Sequence, residues 1–327
     1  MAPLLRAAIG VACAAGTVGV ALGAQPQSPD LASASGDATA LLQLQNPPEH
    51  PRDFPPGGGL HLDLQLLMDD HVSDCDTVFL TTVLGSRHDP VRGGYIKPDF
   101  GYFERFYRSI LAIPGGRAKA VILHDFLPEN MTSRFTTADG SFSFVKVDIS
   151  NVDHLLGLND LRYQLYEEEV KKHPEWDNIF MTDGQDVVVL HNPCALVEQH
   201  PEKVFAHSQE GQTLKSYTWM KEKFEQMGGK YYDWYAKAKE DPAMTVMNAG
   251  ILGGARPVVL KALAKLNAAI LDPNLVRRKE GHQLISNMAA FNYVLRQDFA
   301  GDIVTGFPLH SKWFEWSNRT DVYFWHK

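Results

Sequence analysis

With 327 residues, 44% of them hydrophobic and 21% charged, the chain has the composition of an ordinary globular protein able to bury a sizeable core. Its net charge of −8, without a Lys/Arg cluster or basic stripe, disfavours nucleic acid as a partner, because phosphates demand a concentrated cationic surface. No His-x-x-x-His or Cys-x-x-Cys spacing occurs, which removes the usual zinc motifs.

Residues 1–24 read as a targeting segment. Arg6 supplies a positive flank to the uncharged, Ala/Gly-rich run Ala7 to Ala24, and Ala21-Leu-Gly23 offers small residues for cleavage. A cleaved signal peptide and a type II signal anchor, hence a single-pass membrane protein, both fit. Residues 25–75 read as a stem: rich in Ser, Ala, Pro and Gly up to Gly59, they carry too few large apolar residues for a core. The sequons Asn130-Met-Thr132 and Asn318-Arg-Thr320 agree with the secretory pathway, in the ER or Golgi lumen or secreted. Beyond Cys13, Cys75 and Cys194 either pair, as an oxidising compartment permits, or stay as buried thiols.

The globular domain is expected over residues 76–327. Thr77 to Leu84 has the β-branched and aromatic content of a buried first strand. Phe100 to Ala112 has helical spacing, Ala118 to Asp125 and Phe142 to Asp148 read as strands, and Asp160 to Lys172 as a helix. Asn178 to Thr182 is the next strand. Leu214 to Gln226 reads as a helix, Met244 to Leu252 as a strand, and Pro257 to Ile270 and Gln283 to Leu295 as helices. This alternation implies an α/β fold with a mostly parallel sheet and helices on both faces.

The chemistry concentrates at Asp183-Gly-Gln-Asp186, directly after the apolar run Ile179-Phe-Met181. In open parallel sheets ligands bind at the carboxyl ends of strands. Two carboxylates there, on a turn tightened by glycine, suit a hard divalent cation such as Mn²⁺ or Mg²⁺ that leaves positions for phosphate oxygens. The competing reading is a solvated Asp-Gly turn.

Several short segments, in this order, resemble the nucleotide-diphospho-sugar transferases with the A-type glycosyltransferase fold. They are Leu80-Thr-Thr-Val-Leu84, His88-Asp-Pro-Val-Arg92, Val121-Ile-Leu-His-Asp125, Asn159-Asp160-Leu-Arg162-Tyr163, the Asp183/Asp186 segment, Asn248-Ala-Gly250-Ile-Leu-Gly253-Gly254, Asn287-Met-Ala-Ala-Phe-Asn292, Gly306-Phe-Pro-Leu-His310 and Tyr323-Phe-Trp-His326-Lys327.

The resemblance implies a single Rossmann-like domain and transfer of a sugar from a nucleotide-diphosphate donor to a glycan, protein or small-molecule acceptor. It implies Asp183 and Asp186 as metal residues, with His326 completing the shell or contacting the diphosphate; the alternative for His326 is a tail in solvent. Arg162 is implied to face the donor diphosphate, against a surface salt bridge with Glu167 or another acid. Thr81, Arg92 and Lys327 are further donor-side candidates, each with an ordinary strand, loop or terminal role as its rival.

Asn248 is implied on the sugar and acceptor side. Related enzymes often carry an Asp where Asn287 stands here. An amide orients a hydroxyl but cannot act as a general base. Gln283, four positions earlier, is expected on the same helix face. The aromatic tail (Trp313, Phe314, Trp316, Tyr323, Phe324, Trp325) reads mainly as core closure. Missing the carboxylate at 287 favours one alternative, a non-catalytic nucleotide- or glycan-binding protein; a metal-dependent nucleotide-sugar hydrolase is a further alternative that no residue separates from the transferase.

Overall fold

A computed structural model describes residues 75–89, 93–97, 99–283, 285–311 and 319–326. The targeting segment, most of the stem, Arg92, Asn318 and Lys327 lie outside them. Among the described residues, no helix is long and apolar enough to cross a membrane.

The fold is α/β, around a seven-stranded, mostly parallel sheet of order β3-β2-β1-β4-β7-β6-β8. Its parallel half is β1 (Thr77–Val83), β2 (Ala118–His124), β3 (Phe142–Lys146) and β4 (Asn178–Thr182). β7 (Thr245–Ala255) runs antiparallel to both β4 and β6 (Val204–Thr213), and β8 (Ile303–Val304) closes the edge parallel to β6. A second sheet of two strands pairs β5 (Val187–Val189) with β9 (Phe324–His326).

Alternation along each strand divides the core into two layers. Val78 and Leu80 of β1 with Ile179 and Met181 of β4 face α3 (Leu158–Lys172), α5 (Thr218–Met227), α7 (Arg256–Ile270) and α9 (Asn287–Asp298). Phe79 and Phe180 face the other way, onto α1 (Glu104–Ala112) and the β5–β9 ribbon. The ring of Phe324 lies 6.2 Å from that of Phe79 and 5.3 Å from that of Phe180. Tyr323 and Phe324 thus close the core, as their apolar character suggests.

Three expectations change. The helix expected from Gln283 starts at Asn287, so Gln283 precedes it, half-buried, and shares no helix face with Asn287. The cause is Asp160 in the first turn of α3, whose carboxylate accepts the N–H groups of Ser286 (3.0 and 3.1 Å) and Asn287 and so caps the helix there from across the core. The helix expected from Leu214 starts at Thr218. β6, read as no element, is a ten-residue strand. Its polar His207, Ser208 and Gln209 are nevertheless buried, which breaks the apolar pattern a central strand usually displays.

Cys75 and Cys194 form a disulfide with Cα atoms 5.9 Å apart. Asn192 braces the same corner, its Nδ2 donating to Cys75 O (3.2 Å) and its Oδ1 accepting from Thr77 Oγ1 (2.6 Å). Asn130 of the first sequon is exposed on α2 (Glu129–Phe135).

Candidate functional site

β4 ends at Thr182 and delivers Asp183 to the carboxyl edge of the parallel sheet. The turn returns at once as β5, tied by Val187 N–H to Asp183 O (3.3 Å). β9 pairs with β5 in the register Val187↔His326, which places His326 beside Asp186. One ligand atom from each of Asp183, Asp186 and His326 lies within 4.8 Å of the others. His326 is only 2% exposed, so it is no solvent tail.

The donor set fits Mn²⁺: two carboxylates and one imidazole, with both carboxylates about one-third exposed. His326 Nε2 stands 3.7 Å from Asp186 Oδ1. Burial drives the His326 imidazolium down to about 4, with Asp183 opposing and Arg162 adding to the shift. The ring is therefore neutral at physiological pH, the state a metal ligand requires.

β7 supplies the floor of this centre through an irregularity. Its pairing with β6 slips between Ala206↔Leu252 and His207↔Asn248, releasing residues 249–251 from β6. The freed backbone serves the site. Gly250 O accepts from Asp183 N–H (2.9 Å), and Ala249 O accepts from Arg162 Nη2 (2.9 Å). Asn248 Oδ1 closes the turn by accepting Gly250 N–H (2.8 Å). Only glycine fits at 250, since a Cβ there would stand 2.1 Å from His326 Cε1. The signal for this was in the Asn-Ala-Gly string, but its meaning depended on the histidine lying beneath it.

Arg162 is buried, and its guanidinium pairs with Asp183 rather than with Glu167 or any surface acid. Two carboxylates against one guanidinium keep the centre net negative. Arg162, Thr81, Asn159, Asp183 and Gly184 line a narrow inner cleft of about 30 Å³. Ile96, Tyr102 and Gln185 also line a neighbouring, wider cavity of about 380 Å³ bounded by Tyr95, Lys97 and Asp99. Thr81 Oγ1 is buried without a hydrogen-bond partner among the described residues, on the wall of that inner cleft. A hydroxyl left so carries a desolvation cost.

Asn287 is 6% exposed at the start of α9. A carboxylate does stand beside it, but it is Asp160, wholly buried and committed to the helix amides. Burial pushes Asp160 up to about 6 against those hydrogen bonds. Of the expected site residues, the structure joins Asp183, Asp186, His326, Arg162 and Thr81, with Asn248 supporting them. Gln283 is not among the residues lining the cleft.

Acid should destabilise this protein before its ordinary carboxylates titrate. Burial holds His310 and His326 near 4, below the usual 6.5, so the folded state binds fewer protons than the unfolded chain and stability falls from pH 6.5 down to 4. Asp160 works oppositely, taking up its proton near 6 when folded and near 3.8 when unfolded. His207 and His124 are pushed down by burial as well, so the histidines outweigh the one carboxylate and the loss is at least about 3 kcal/mol between pH 7 and pH 4. Urea midpoints that stay flat or rise over that range would contradict it.

No protein-family model matches this chain, and no curated protein matches it.

Proposed function

We propose that this protein is a metal-dependent glycosyltransferase with the A-type fold, moving a sugar from a nucleoside-diphosphate donor to a glycan, protein or small-molecule acceptor. The observation that carries the reading is the clustering of Asp183, Asp186 and His326 at the carboxyl end of β4, where Asp183 also lines a cleft together with Arg162 and Thr81. A nucleoside diphosphate is the leaving group in such a transfer; Asp183, Asp186 and His326 would hold Mn²⁺ or Mg²⁺, which would supply Lewis-acid neutralisation of its growing charge.

The chain's own groups supply the rest. Arg162 adds a fixed positive charge beside Asp183, positioned by Ala249 O and unable to lose its proton. Thr81 lies on the wall of the same cleft. The Cys75–Cys194 disulfide supports an oxidising compartment, in keeping with the secretory address read from residues 1–24. Asn287 favours a second reading, a protein that binds nucleotide sugars without transferring them, because no carboxylate occupies that position and Asp160 is spent on α9.

The test is a thermal-shift screen of nucleoside-diphosphate sugars with and without Mn²⁺. The expected result is stabilisation by at least one donor only when Mn²⁺ is present, about 2.7 kcal/mol at a hundredfold excess over Kd. If none stabilises the protein in Mn²⁺, the reading is lost. Product analysis of the donor that binds separates the classes: glycosylated acceptor means transferase, free sugar means hydrolase, and unchanged donor means binder.

A further inference from the structure

His326 does not stand alone in the core. Its Nδ1 lies 2.8 Å from Nδ1 of His207, a fully buried residue of β6. The ring of His207 is clamped on its other side by His310, with centroids 4.2 Å apart and planes at 84°. His310 is itself fixed: its Nδ1 donates to Ser311 O (2.7 Å), and its Nε2 accepts the N–H groups of Gly306 (2.9 Å) and Ser208 (3.2 Å). Asn248, the residue across the β6–β7 ladder from His207, belongs to the bulge that carries Gly250 under His326.

Two ring nitrogens 2.8 Å apart share one proton, since two N–H groups would repel and two lone pairs would attract nothing. If His207 holds it, neutral His326 carries its own proton on Nε2 and has no lone pair for the Asp183/Asp186 centre. If His326 holds it on Nδ1, Nε2 presents its lone pair toward the two carboxylates. A ligating imidazole almost always donates its other N–H to a fixed acceptor, which sets both tautomer and ring orientation. Here every protein group needed for that arrangement is present and buried.

We propose that His207 is the positioning residue of this centre, accepting the Nδ1 proton of His326 and thereby making His326 Nε2 the metal-binding nitrogen. The inference rests on the metal-site reading above and adds the residue that prepares the ligand. His207 touches neither metal nor substrate. Its acceptor is an imidazole rather than a carboxylate, so it directs the proton without adding negative charge to the centre.

The experiment measures Mn²⁺ affinity of the purified protein, without nucleotide, by the electron-spin resonance of free Mn²⁺. His207→Leu removes the acceptor at similar volume, and His207→Asn restores an oxygen close to where Nδ1 stood. His207→Leu is expected to weaken Mn²⁺ binding about 10- to 100-fold, with His207→Asn recovering most of it. Wild-type affinity in His207→Leu, alongside loss of binding in Asp186→Asn, overturns the role of His207 and leaves the metal site standing. Absence of Mn²⁺ binding in the wild type overturns both. Should His207→Leu fail to fold, ¹⁵N chemical shifts of the wild-type imidazoles in the Zn²⁺-loaded protein decide. A proton on His326 Nδ1 supports the assignment, and a proton on Nε2 refutes it.

Discussion

Asp186→Asn is expected to abolish Mn²⁺-dependent nucleotide binding while leaving the metal-free protein nearly as stable as the wild type. The Asp186 side chain is 35% exposed, so an amide in its place stays hydrated, and one charge fewer relieves repulsion within a net negative centre. Asp183→Asn should lose binding equally but behave differently without metal. Asp183 is the ionic partner of Arg162, whose side chain is 8% exposed, and removing it leaves a buried guanidinium short of a counter-charge. Breaking a fully buried pair costs about 3–5 kcal/mol, and the partial exposure of Asp183 reduces this to about 1–3 kcal/mol. Calorimetric titration with Mn²⁺ and a nucleoside diphosphate, paired with urea unfolding of the apo proteins, measures both effects. Normal metal-dependent binding in either variant would remove that carboxylate from the site. Equal stabilities would mean that Arg162 does not depend on Asp183.

The largest effect on stability alone is expected from the disulfide. Cys75 and Cys194 are 119 positions apart, and closing so long a loop in the unfolded chain is worth about 4–5 kcal/mol in the chain-entropy account. Cys75→Ser with Cys194→Ser should therefore lower the unfolding free energy by about 2–5 kcal/mol. The Asn192 hydrogen bonds to Cys75 O and Thr77 Oγ1 remain and limit the loss of local order. Mn²⁺ affinity should not change. The bond lies before the first residue of β1, whereas Asp183 follows the last residue of β4, so most of a strand length, about 20 Å, separates them. An unaltered urea midpoint in the double variant, or in wild type under reductant, would show that the bridge contributes nothing. A changed metal affinity would show that the two ends of the sheet are coupled.

Much of the frame was legible in one dimension. The runs Thr77–Val83, Ala118–His124 and Asn178–Thr182 are apolar because each parallel strand is covered on both faces, so their composition alone marks them. Helix α7 was equally plain, with its early proline and its apolar face. β6 was not, because its buried residues include His207, Ser208 and Gln209, whose burial is made tolerable by partners from other elements, such as His310 for the Ser208 amide. The start of α9 was misplaced for the same reason: its cap is Asp160, a residue of another helix, and capping rules read only neighbours in sequence.

The sequence by itself determined the α/β class and the delivery of two carboxylates by the end of a buried strand, because burial and strand polarity are local properties of a run of residues. Tertiary structure alone decided what those carboxylates meet. His326 reaches Asp186 only through the pairing of β9 with β5, and Arg162 reaches Asp183 rather than Glu167 because α3 packs over the end of β4 and the β7 bulge. The pairing of Cys75 with Cys194, the bulge that needs glycine at 250 and the proton shared by His207 and His326 belong to the same category. Each depends on the approach of segments distant in the chain, within a few ångströms and in one orientation, and no residue type or spacing encodes that alone.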